Sequence, residues 1–209
     1  MNKLEFGNPK ANIVLIQMVD DHDLEGIERE AGLISQHAMQ DFRLIALKVG
    51  NWNNDLSPWQ APAVFGNEDF GGGADATLNE VLSLCMDKSK TYHIGGYSLA
   101  GLFALWTAYQ TDVFEGVAAA SPSIWFPGFV DHMEKSELKA FKVYLSLGDK
   151  EEKTRNPVMA KVGDDIRRAH ALLESKQIRT TLEWNPGNHF RDPDIRTAKA
   201  FLWVMNQTT

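Results

Sequence analysis

Cysteine is all but missing from this chain. Cys85 stands alone among 209 residues, which excludes an internal disulfide framework and fits a reducing compartment. Basic charge is short as well. Lys and Arg number 21 against 28 Asp and Glu, and the resulting net charge of −7 argues against a nucleic-acid or anionic-membrane surface. No apolar run approaches the length needed to span a bilayer, and the first ten residues hold no apolar core of signal-peptide length. Internal repeats, linkers and low-complexity tracts are lacking too. Together these absences predict one domain over residues 1–209, located in the cytoplasm, with no nucleic-acid or membrane partner.

The apolar residues that are present fall into short runs. Ile13–Met18, Phe42–Leu47, Thr91–Tyr97, Phe114–Ala120, Phe141–Leu147 and Arg179–Trp184 each have strand length, and helical stripes lie between them. The pattern predicts an α/β fold: a mostly parallel sheet of about six strands with helices on both faces. Asp20-Asp21-His22-Asp23 has no matching ligand pattern elsewhere and reads as a helix cap, with Asp23 ahead of a stripe at Leu24, Ile27, Ala31 and Ile34. No metal site is expected. Between Val49 and Ala74 lies a long irregular segment carrying Trp52, Trp59, Phe65 and Phe70, either packed on the surface or forming a wall toward a substrate. Its Gly71-Gly72-Gly73 lacks the lysine of a phosphate loop and reads as a flexible lead into the next helix. Asn156-Pro157 and Asp192-Pro193 have the form of helix starts.

One stretch carries chemistry. Gly96-Tyr97-Ser98-Leu99-Ala100-Gly101 links a strand to an apolar helix and fits the nucleophile elbow, in which a serine sits at the tip of a strained turn. Small residues two places before and after Ser98 let the helix pack against the strand; Ala100 stands where a second glycine is usual. The competing reading is a glycine-rich turn with Ser98 as a plain helix cap. Two further groups tilt the balance. An acidic cluster, Asp149, Glu151 and Glu152, follows the fifth strand, and His189 follows the sixth. In a parallel sheet, reactive groups gather beyond the C-terminal ends of the strands.

A serine hydroxyl is too weak an acid to attack a carbonyl unaided and needs a neighbouring base. His189 can serve, with a carboxylate to fix its tautomer. Glu151, three residues past Gly148, is the preferred acid, with Asp149 and Glu152 as alternatives. The backbone N–H groups of Leu99 and Asp21 are the expected oxyanion donors. Trp125, Trp52 and His22 are the expected substrate contacts.

The segments Gly-Gly-Tyr-Ser-Leu-Ala-Gly, Ser-Pro-Ser-Ile-Trp-Phe and Gly-Asn-His-Phe together resemble the esterase branch of the α/β-hydrolases, which includes esterase D and the enterochelin-esterase-like enzymes. The resemblance runs from Ile13 to Met205. It implies a serine hydrolase acting on small carboxylic esters through an acyl-enzyme, with no cofactor. This sequence departs from the full fold of that branch in lacking the first two antiparallel strands and any cap domain, which makes the expected fold a minimal one. The alternatives are a non-catalytic module that binds a ligand or partner through the Trp-rich segment 49–74, or a thioesterase or acyltransferase using the same machinery.

Overall fold

The computed structural model describes residues 2–206. Near the middle of its sheet runs strand β2 (Ile13–Val19), whose seven residues are all buried because helices cover both faces of the sheet. Beside it run β3 (Phe42–Lys48) and β6 (Thr91–Tyr97), both parallel to it. Next to β6 come β7 (Phe114–Ala120), β8 (Lys142–Gly148) and β9 (Arg179–Asn185), each parallel to its neighbour. A seventh strand, β1 (Asn2–Gly7), pairs antiparallel with β3 and forms one edge. The sequence reading put about six strands here and no antiparallel one. It missed β1 because an edge strand is exposed along most of its length and needs no apolar run to declare it.

Side chains on the sheet alternate between two cores. Val14, Ile16 and Met18 face the larger one. It is closed by α3 (Ala74–Ser83), α4 (Leu99–Gln110), α5 (Phe129–Lys135) and α6 (Val162–Ser175). Ile13, Leu15 and Val19 face the smaller one, closed by α1 (Asp21–His37) and α7 (Pro193–Asn206). Among the described residues no helix is long and apolar enough to cross a membrane.

Three local readings change. The cap of α1 is Asp20, one turn earlier than expected; its side chain accepts from Asp23 N, and the Asp23 carboxylate accepts from Asp20 N, a reciprocal box. Asn156 accepts from the N–H groups of Val158 and Met159, but a single 3-10 turn follows it, and α6 starts only at Val162. The segment 49–74 is more regular than expected. It holds a short helix, α2 (Trp52–Asp55), and a two-stranded ribbon, β4 (Gln60–Ala61) with β5 (Phe70–Gly71). Its glycines serve close approach: a Cβ on Gly71 would fall 1.9 Å from Asn54 Oδ1, and one on Gly73 2.7 Å from Asn54 Nδ2.

Gly95 gives the same logic a test. A Cβ there would lie 2.7 Å from Ala118 Cβ, Ala118 O and Phe201 Cζ, three atoms that cannot all retreat. Gly95→Ala is therefore expected to destabilise the fold by about 1–3 kcal/mol, read as a lowered denaturation midpoint at unchanged slope.

Candidate active site

The turn between β6 and α4 positions Ser98. Its backbone sits at φ 56 and ψ −121, outside the ordinary wells for a residue with a side chain. The turn is held from three directions: Ser98 N donates to Ala120 O at 3.2 Å, and Ser98 O accepts from Leu102 N and Ser123 N, each at 3.0 Å. Strand and helix can meet this closely only with small residues, since a Cβ on Gly96 would lie 2.7 Å from Ala100 Cβ. The methyl of Ala100 is thus the largest group the packing takes. Strain of this kind persists because α4, buried from Leu99 to Tyr109, anchors the far side.

Above Ser98 stands His189, delivered by the loop after β9. Its Nε2 lies 3.0 Å from Ser98 Oγ, and its Nδ1 lies 2.7 Å from Glu151 Oε2. A carboxylate on Nδ1 fixes the proton there and leaves Nε2 to accept from the serine hydroxyl. The ring is also set against Tyr97, with centroids 5.1 Å apart, and Tyr97 OH donates to His189 O at 2.8 Å. Burial first, and then the Glu151 charge, push the Tyr97 phenol up to about 12, so it stays a neutral donor.

Of the three acids after β8, the structure brings Glu151 to the histidine and sends the others elsewhere. Asp149 Oδ1 accepts from Gly187 N at 2.8 Å, steadying the loop that carries His189. Glu152 pairs with Arg167 at 3.1 Å. The Glu151 side chain is 4% exposed, and its second oxygen accepts from Gly148 N at 2.7 Å and from Ser121 Oγ and Arg196 Nη1 at 2.9 Å each.

Arg196, on α7, was invisible to the sequence reading. Its side chain is 2% exposed. Beyond Glu151 it donates to Tyr97 OH at 3.0 Å and to the carbonyls of Pro186 and Asn188 at 3.2 and 3.1 Å. One guanidinium thus joins the acid, the aromatic prop and the loop bearing His189, a task its rigid fork of donors suits. Ser123 was missed too; its Oγ lies 3.3 Å from Ser98 Oγ.

The expected substrate contacts divide. Trp125 lines a mainly apolar cavity of about 250 Å3 together with Met159, Val162, His189 and Phe190. His22 lines a second cavity, between α1 and α7. Trp52 packs, half-buried, against the larger core. Leu99 and Asp21, the expected backbone donors, are the first residues of α4 and α1, where N–H groups lack intrahelical acceptors. The Asp21 side chain pairs with Lys48 at 2.5 Å and is 84% exposed.

No protein-family model and no curated protein matches the sequence. Solved structures do. An IroE-like serine hydrolase from Shewanella oneidensis aligns with TM-score 0.73 at 15% identity, over 92% of this chain and 70% of that one. The siderophore hydrolase EstA from Aspergillus nidulans gives 0.68 at 16%, over 100% and 95%. FphF, a fluorophosphonate-binding serine hydrolase from Staphylococcus aureus, gives 0.63 at 11%, over 99% of both chains. Likeness at these identities is one of fold: a mostly parallel seven-stranded sheet with helices on both faces, shared with these hydrolases.

Proposed function

We propose that the chain is a serine esterase that cleaves small carboxylic esters through an acyl-enzyme. The observation that carries this is the unbroken line from Ser98 Oγ through the imidazole of His189 to the buried carboxylate of Glu151, at 3.0 and 2.7 Å. The fold it shares with known serine hydrolases supports the same reading.

Ser98 Oγ attacks the ester carbonyl carbon while its proton passes to His189 Nε2. Glu151, still ionised, stabilises the imidazolium and keeps its orientation. The carbonyl oxygen becomes an oxyanion facing the N–H groups of Leu99 and Asp21, each at the positive end of a helix. Pairing with Lys48 leaves Asp21 only its N–H to offer there. As the tetrahedral intermediate collapses, the C–O bond breaks and the leaving alkoxide takes the proton from Nε2. Water then loses a proton to Nε2 and adds to the acyl carbon; as this second intermediate collapses, the acyl C–Oγ bond breaks, Ser98 Oγ takes the proton back from Nε2, and the acid departs. The cavity beside Trp125 takes an apolar group of the ester.

The binding-module alternative draws little support from segment 49–74. Trp59 donates to Pro127 O and packs on Phe126 and Phe129, while Phe70 packs on Phe126 and Trp125, so these rings face inward. A fluorophosphonate probe separates the two readings. Stoichiometric labelling at Ser98, lost in Ser98→Ala and slowed in His189→Ala, is the expected result; folded protein that takes no label contradicts it.

A further inference from the structure

The turn after β7 reaches both ends of the catalytic line. Ser121 Oγ donates to Glu151 Oε1 at 2.9 Å, and Ser123 Oγ lies 3.3 Å from Ser98 Oγ. Ser121 helps to hold a buried acid. Ser123 takes no part in the steps above. It is 2% exposed, and among the described residues its hydroxyl hydrogen-bonds to Ser98 Oγ alone. Burying a hydroxyl costs free energy that one long contact with another hydroxyl repays poorly. Packing therefore gives no reason for an oxygen at this position.

The main chain ties Ser123 to the elbow it faces. Ser123 N donates to Ser98 O, and Phe126 N donates to Ser123 O, each at 3.0 Å. Pro122, just before it, docks on α4 at Gly101, where a Cβ would lie 3.3 Å from Pro122 Cα. The protons then set the direction of the side-chain bond. Glu151 holds the imidazole proton on Nδ1, so Nε2 accepts from Ser98 Oγ. That commits the one proton Ser98 Oγ has, and toward Ser123 it can only accept. Ser123 Oγ is the donor.

We infer that the Ser123 hydroxyl is a catalytic group, which donates to Ser98 Oγ and stabilises the charge that gathers on that atom in both halves of the reaction. The role rests on the esterase reading above. In acylation the Ser98 proton moves to Nε2 as Oγ bonds to the carbonyl carbon, and Oγ carries negative charge between the two events. In deacylation the C–Oγ bond breaks, and Oγ carries charge again until Nε2 returns the proton. Ser123 keeps its own proton throughout. A donor makes a shorter and stronger bond to a charged oxygen than to a neutral one. In the acyl-enzyme Oγ is the bridging oxygen of an ester, a poor acceptor. The bond is thus strongest in the transition states, which is the condition for raising kcat. Its length in the resting enzyme is in keeping, since catalytic hydrogen bonds often tighten only once substrate is bound.

The test varies the hydroxyl at constant shape. Ser123→Ala removes it, while Ser123→Thr and Ser123→Val share one outline and differ by the hydroxyl. On p-nitrophenyl acetate, Ser123→Ala is expected to lower kcat by about ten- to a hundredfold, the range of one hydrogen bond to a charged group. KM should stay near wild type, because acylation and deacylation slow together, and stopped-flow traces should show both phases slowed. Fluorophosphonate labelling of Ser98 should slow by a similar factor, at an unchanged denaturation midpoint. Ser123→Val should turn over more slowly than Ser123→Thr by that factor, whatever the added methyl costs both. A purely structural Ser123 would instead move KM and the midpoint, and would leave the Thr and Val variants alike. An Ala variant as fast as wild type or faster overturns the proposal, as does a change confined to KM. If a larger variant fails to fold, the Ser–Ala comparison decides. Wild type that labels no faster than Ser123→Ala removes the role of Ser123 alone. Wild type that neither labels nor forms an acyl-enzyme removes the esterase reading, and this role with it.

Discussion

Ser98→Ala is expected to lower kcat on p-nitrophenyl esters by about a millionfold while leaving the fold and the denaturation midpoint close to wild type. The size follows from the chemistry. Without Oγ there is no acyl-enzyme, and the residual rate comes from the oxyanion donors and from binding alone. Stability should hold because the turn is fixed by main-chain bonds, Ser98 N to Ala120 O, and Leu102 N and Ser123 N to Ser98 O, which alanine retains. The positive φ was already borne by a residue with a Cβ, so alanine adds no strain. A loss of less than about a hundredfold would mean that another group attacks the ester, or that the hydroxyl merely positions water.

Glu151→Gln should strike both rate and stability, for separable reasons. An amide beside Nδ1 no longer selects the productive tautomer or stabilises the imidazolium, an effect of about ten-thousandfold on kcat. The same change strips the charge partner from Arg196, whose side chain is 2% exposed, and breaking one half of a buried pair costs about 3–5 kcal/mol. Adding Arg196→Met to Glu151→Gln removes the stranded cation and should return much of the stability but none of the rate. Arg196→Met alone keeps the carboxylate but frees the carbonyls of Pro186 and Asn188, so the loop bearing His189 loosens and kcat falls with it. Glu152→Gln, at a carboxylate paired with Arg167, should leave kcat near wild type and serves as the control. If Glu151→Gln and Glu152→Gln behave alike, the orienting acid is neither.

Local pattern explains what the sequence could tell. Buried parallel strands are largely apolar, so β2, β3 and β6 to β8 announce themselves; β9 is an edge strand with only Asn185 buried, and it is legible from its place between a helical stripe and the turn at Asn185-Pro186-Gly187. The elbow does the same, because only small residues allow the strand and α4 to approach at Gly96 and Ala100. Glu151 could be ranked above Asp149 and Glu152 by distance past the strand, yet its partners lie far away in the chain, at Ser121, His189 and Arg196. The β1 strand left no trace because its ladder needs only backbone, and all of Asn2–Gly7 but Phe6, which packs against the smaller core, is exposed. Arg196 drew no reading from the sequence. The available clue was its position: it shares the inward row of α7 with Ala200 and Val204, four and eight residues on, where an unpaired cation has no place. The triple glycine misled for the opposite reason. Composition alone reads as flexibility, whereas the contacts at Asn54 show that side chains were excluded.

The central claim is a covalent bond to one oxygen atom. Rapid acid quench during turnover of p-nitrophenyl acetate, followed by intact-protein and peptide mass spectrometry, looks for that bond directly. A single acetyl group on the peptide containing Ser98, formed in a burst and absent from Ser98→Ala, is the outcome expected. Steady hydrolysis with Ser98 unmodified at every time point, or with the acetyl group on a different residue, would contradict the account.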